Sequence, residues 1–185
     1  MVLTPIGLVH AIAERIRVMV SEIRMEESDG DHILRAPNVW EQNLPEKLYE
    51  DAQDPADYPF VLVALGGGTG ISEGRMSCQL GVLVGGYDDG QPINDQQVMD
   101  RQGWVIPAAL AWRIITAFAI DPTEGPFRLD LESLRWELPE QEQPAPQWFG
   151  IITMTWTVPV PEQGFQPCEY PDRWDESAVR SGNRR

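Results

Sequence analysis

Residues 66 to 70 read GGGTG and follow the apolar run PFVLVAL. A glycine-rich turn after a strand can cradle a phosphate. That chemistry needs a Lys and a Ser or Thr after the last glycine, and a helix whose first amides converge on the anion. Here Gly70 is followed by Ile71 and Ser72 and then by a strand-like pattern. The dinucleotide spacing of glycines fails as well, because residues 71 and 73 are Ile and Glu. The expected role of Gly66, Gly67, Gly68, Thr69 and Gly70 is therefore chain reversal in a long β-hairpin loop, where glycine tolerates positive φ.

The remaining reactive side chains form no recognisable centre. His10 falls in a helical pattern and His32 in an acidic connection, and neither stands near a Ser or Cys in a nucleophile motif. Cys78 lies in a strand-like segment and Cys168 in a polar tail, which is neither a disulfide framework nor a zinc spacing. The pairs Glu26–Glu27 and Asp88–Asp89 read as solvated charge in turns. Among the seven tryptophans, Trp136 and Trp156 occupy apolar phases of strands and are expected in the core, while Trp148 opens the last strand and is a candidate interface residue. No catalytic residue, cofactor or metal ligand is expected.

With 29 acidic and 14 basic side chains, the formal charge is −15. A surface that negative repels phosphates and anionic lipid, which argues against a sequence-reading nucleic-acid binder. A hydrophobic content of 42% in 185 residues suffices for one core. The most apolar window, residues 104 to 120, contains Pro107 and Arg113. It falls short of the ~20 residues that span a bilayer and is expected to be a buried helix. The N-terminus shows no signal-peptide pattern, so a reducing cytoplasm is the expected site of synthesis.

Thr4 and Pro5 start a helix over about residues 5 to 26, with Val9, Ile12, Ile16, Met19 and Ile23 on one face. Residues 27–58 form a long acidic connection. Phe60 to Leu65 and Met76 to Val84 read as two hairpin strands. After the apolar helix, Phe127, Leu129, Leu131, Leu134, Trp136 and Leu138 predict one or two strands with a kink near Glu132 and Ser133. Ile152, Met154, Trp156 and Val158 alternate with threonines in the clearest strand of all. The order predicts an α+β domain over residues 1–161, an antiparallel sheet of about four strands with two helices packed on one face. Residues 162–185 are expected to be a flexible tail.

The segments YPFVLVALGGG, QLGVLVGGY and PQWFGIITMTWTVPVP occur in that order after an amphipathic helix. Together they resemble the tail terminator, or tail completion, proteins of long-tailed bacteriophages. The similarity covers about residues 4 to 161, and its most specific part is Trp148, Gly150, Trp156, Val158, Pro159 and Pro161. It implies a structural virion protein, assembled in the host cytoplasm, that forms a hexameric ring, caps the tail tube and meets the head-neck connector, with DNA passing through unbound. The loop from Gly66 to Arg75 would then be an assembly contact, with Glu73 and Arg75 pairing across subunits. Another neck or head-closure connector is the alternative. A small nucleotide-binding enzyme is a second, because GGGTG resembles the signature of tubulin-like GTPases; the helix and longer chain of that family are missing.

Overall fold

The computed structural model describes residues 3–23, 36–45, 57–88, 103–139 and 147–160. Helix α1, Pro5–Val20, begins as its first residues dictate. Thr4 is extended, and its hydroxyl accepts the Gly7 N–H at 3.1 Å. Pro5 occupies the first turn, where no N–H is missed. Leu8, Val9, Ile12, Ile16 and Val20 are buried, with Met19 and Ile23 packed at the margin. The helix stops at Val20 and not at residue 26 as expected: Ser21 caps it by donating its backbone N–H to Arg17. Residues 24–26 lie outside the described segments.

Among the described residues six strands form one sheet: β1 Asn38–Glu41, β2 Phe60–Ser72, β3 Arg75–Tyr87, β4 Thr123–Glu124, β5 Phe127–Glu137 and β6 Gln147–Pro159. Their order is β1-β2-β3-β6-β5-β4. The α+β class holds, but the expected four antiparallel strands become six in a mixed sheet, since β1 runs parallel to β2. β1 lies within the acidic connection. Four residues, NVWE, are too few to show an alternation against so many Asp, Glu and Pro neighbours.

β3 and β6 are the spine of the sheet, pairing without interruption from Arg75 with Pro159 to Tyr87 with Gln147. One face of this ladder, Cys78, Leu80, Val82, Val84, Ile152, Met154, Trp156 and Val158, is buried beneath the helices. Thr153, Thr155 and Thr157 take the other face, as their alternation predicts. Trp156 meets Phe118 edge to face at 5.5 Å. Its indole N–H has no partner among the described residues, a cost of about 1–3 kcal/mol that burial of the ring offsets.

The kink expected near Glu132 and Ser133 is present. Four residues of β5, Leu131 to Leu134, bulge between the pairs Asp130–Thr155 and Arg135–Thr153. Ser133 Oγ accepts the Thr155 N–H at 2.8 Å, replacing the lost ladder bond. The bulge turns Leu131 into solvent. Trp136, expected in the core, is 44% exposed. β4 pairs only with Phe127 and Arg128, so at Trp136 the strand has a sheet neighbour on one side alone.

Helix α2, Val105–Ile120, is half buried and not enclosed as its composition predicts. Pro107, Leu110, Ala111, Ile114 and Phe118 face the sheet, while Trp112 and Ile120 face water. Arg15 of α1 closes its C-terminus by donating to the carbonyls of Ala117, Asp121 and Thr123 at 3.3, 2.9 and 2.7 Å. Its guanidinium also lies 4.7 Å from the centre of the Phe118 ring. A cation here satisfies orphan carbonyls at the negative end of the helix dipole. The two helices are thus locked to each other as well as to the sheet. No helix among the described residues is long and apolar enough to cross a membrane.

Candidate assembly surface

The glycine run is a strand and not a loop. β2 continues through Gly66 to Ser72, and the reversal is made by two residues, Glu73 and Gly74, between the paired Ser72 and Arg75. Both have positive φ, 51° and 68°, the requirement of the tight hairpin turns whose twist matches that of the strands. The long connection expected from Gly66 to Arg75 is corrected accordingly. The composition signals a break, yet β3 is thirteen residues long and already held by β6. By following it β2 pairs its backbone as far as Ser72, apart from the two slips at Gly66 and Gly70.

Glycine still matters within the strand. The register slips at Gly66 and again at Gly70, so the arm contains two bulges. Gly70 has φ 57°, where a side chain would be strained. Gly68 packs closely against β3, because a Cβ there would lie 3.4 Å from Met76 Sδ and from the Ser77 carbonyl oxygen. No helix follows Gly70, and so no set of helix N-terminal amides converges beside it.

Residues 66 to 72 are all exposed. β1 covers β2 only from Phe60 to Val63. Gln42 extends that cover to Leu65, its side chain accepting the Leu65 N–H at 3.0 Å. Beyond this point the outer edge of β2 has no strand partner among the described residues. From Pro59 to Ser72 the chain contains no charged side chain, and Ile71 is 68% exposed near the tip. Glu73 and Arg75 flank the tip, exposed and without an ion-pair partner among the described residues.

Trp148 is not part of this arm. It pairs with Gly86 at the opposite end of the β3–β6 ladder, about 35 Å from the turn at the usual rise per strand residue. The ring is half buried over Gly103, where an added Cβ would fall 2.2 Å from its Nε1. That indole N–H also lacks a described partner. The eight interface residues named from sequence thus divide into one contiguous arm and one distant tryptophan.

A second cluster escaped the sequence altogether. His10 and Glu14 of α1 and Glu41 of β1 bring ligand atoms within 4.8 Å of one another. Arg17 already neutralises the carboxylates: it bonds Glu14 and donates to Glu41 at 2.8 Å, and His10 Nδ1 lies 3.4 Å from Glu41. Burial would raise the Glu41 carboxyl, but the hydrogen bonds from Arg17 and His10 outweigh it and hold the group below its ordinary range. The geometry is that of a tether between α1 and β1. His10 and Glu14 share a face by their spacing of four, but nothing in the sequence pointed to Glu41, thirty-one residues further on.

Two grooves lie on the solvent side of the helices. One of about 1050 Å³ runs beside α1 and is lined by Ile6, Val18 and Met19 together with the charged Glu14, Arg15 and Glu124. The other, about 600 Å³, lies between the helices and is lined by Met19, Ala109, Trp112, Arg113 and Ile120. They meet at Met19. Ile6, Val18, Trp112 and Ile120 are 78%, 73%, 63% and 79% exposed. With roughly 150–250 Å² for the full aromatic side chain of Trp112 and less for each of the three aliphatic ones, the four leave on the order of 500 Å² of apolar surface in water. Patches of that size on a monomer commonly mark interaction sites.

No protein-family model and no curated protein matches the chain. Two surfaces stand out among the described residues: an uncharged strand arm and a groove face on the helix layer with exposed apolar side chains.

Proposed function

We propose that the protein is a structural virion component that caps the tail tube of a long-tailed phage, ends its polymerisation and joins the tail to the neck, acting as a ring of its own copies. The supporting observation is the arm. An exposed, uncharged edge strand is a liability unless another chain uses it, and here it stands on a molecule of charge −15. The neutral arm is the place where a second acidic chain can approach with little repulsion. The same negative charge suits a passage for DNA, because a wall that does not attract phosphates lets the duplex slide. The resemblance of residues 4 to 161 to tail terminators supplies the particular role, and the acid-rich exterior and free arm are consistent with it.

The test is a binding experiment with purified tail tubes and purified portal rings, observed by electron microscopy. The expected result is density at tube ends and arrest of tube growth. Binding to portal rings alone would assign the protein to another layer of the neck. Binding to neither would overturn the proposal.

A further inference from the structure

We infer that the groove face of α1 and α2 is the seat of the β2–β3 arm of a second copy of this chain, so that each subunit gives its arm to one neighbour and its groove to another. This rests on the self-association in the function proposed above and names its contact. Three observations converge on this occupant. First, the arm and the groove are different surfaces of one molecule, and residues 66 to 72 are exposed, so a subunit's own helices do not cover its arm. Surfaces of that kind meet head to tail and close into rings when the rotation permits.

Second, the shapes correspond. The groove face offers apolar side chains around a depression that continues from Ile6 to Ile120. The arm offers a backbone nearly without side chains from Gly66 to Gly70, with Ile71 as its exposed apolar knob. The on-the-order-of-500 Å² estimated for four groove residues is more than half of the ~800 Å² per partner typical of a stable interface.

Third, the charges correspond. α2 contains a single charged residue, Arg113, which lines the groove and has no ion-pair partner among the described residues. Glu73 at the arm tip is likewise unpaired among them and carries the opposite sign. The carboxylates that line the groove beside α1, Glu14 and Glu124, are already paired with Arg17 and Arg15, so Arg113 is left as the cation that orients the arm.

The experiment is a mixing experiment on the full chain, with mass read by light scattering and folding checked by circular dichroism. Ile71→Asp spoils the arm and Val18→Asp spoils the groove; both positions are exposed, so both variants should fold. The expected result is a wild type above monomer mass, two variants that are each monomeric, and an equimolar mixture that forms dimers and nothing larger, because one intact arm meets one intact groove. Glu73→Arg should weaken association about tenfold, with Arg113→Glu in the same chain restoring it. A mixture that stays monomeric, a variant that keeps the wild-type mass, or a monomeric wild type would overturn the inference. So would association appearing only after truncation at Val160, which would identify the chain's own C-terminal segment as the occupant. Mixed variants that dimerise while the wild type ignores tube ends would leave this contact standing and remove the proposed function.

Discussion

Glu41 shows how one carboxylate can hold two elements together. It reaches from β1 to Arg17 and His10 of α1, and burial alone would have made it a weaker acid than usual; its partners reverse the sign. A group whose folded pKa lies below its ordinary value, here 4.5, contributes stability that is complete above that value and is lost as pH falls through the folded one. Glu41→Gln is therefore expected to lower stability at neutral pH and to match the wild type once the carboxylate is protonated. Urea melts of both chains at pH 7 and at steps downward from the ordinary value trace that window. A variant equally destabilised at every step would show that the side chain acts by packing. Arg15 likewise joins two elements through one side chain: its donors complete the C-terminus of α2, a hundred residues away.

The hairpin shows where local composition and tertiary pairing disagree. Phe60 to Leu65 was readable as a strand from its apolar run and Met76 to Val84 from its alternation, and both are strands. Five residues of GGGTG read as a loop by every local preference, because glycine is the residue least committed to extended backbone. The completed β3–β6 ladder overrides that preference by offering partners as far as Arg75. The turn itself lacks the usual Asn-Gly signal and consists of Glu-Gly. Gly70→Ala tests the account. Nothing lies within 4 Å of the added methyl, so any loss arises from the positive φ, an expected cost of about 1–2 kcal/mol measurable by denaturant melts. An unchanged stability would mean that the bulge at Gly70 is not held in the positive-φ conformation.

For the whole molecule, charge and shape act against each other. Two copies of a chain at −15 repel at long range, whereas the inferred contact of groove and arm would act only at short range. Self-association is therefore expected to strengthen as salt rises from low to moderate ionic strength, in contrast to interfaces held by opposite charges. Light-scattering mass across a salt series checks this. A mass insensitive to salt would show that the net charge has no part in controlling assembly. The exposed half of α2 fits the same picture: a helix of Val, Ile, Ala and Trp that is apolar all round looks like an interior element when read alone, but its second face stands open.

Local pattern was enough to read the two helices, the hairpin strands, the kinked strand and the threonine-faced strand, along with the α+β class: a period where one side of an element meets water, and a plain apolar run at Phe60 to Leu65 and in α2. The chain's acidity and its lack of a recognisable reactive motif were equally plain. Other features depended on residues far apart in the chain. The parallel pairing of β1, the extension of β2 through its glycines, the exposure of Trp136, the Arg15 clasp and the separation of Trp148 from the arm all follow from which strand or helix lies alongside. That neighbour is chosen by burial and hydrogen bonding across the whole fold, and no window of sequence contains it.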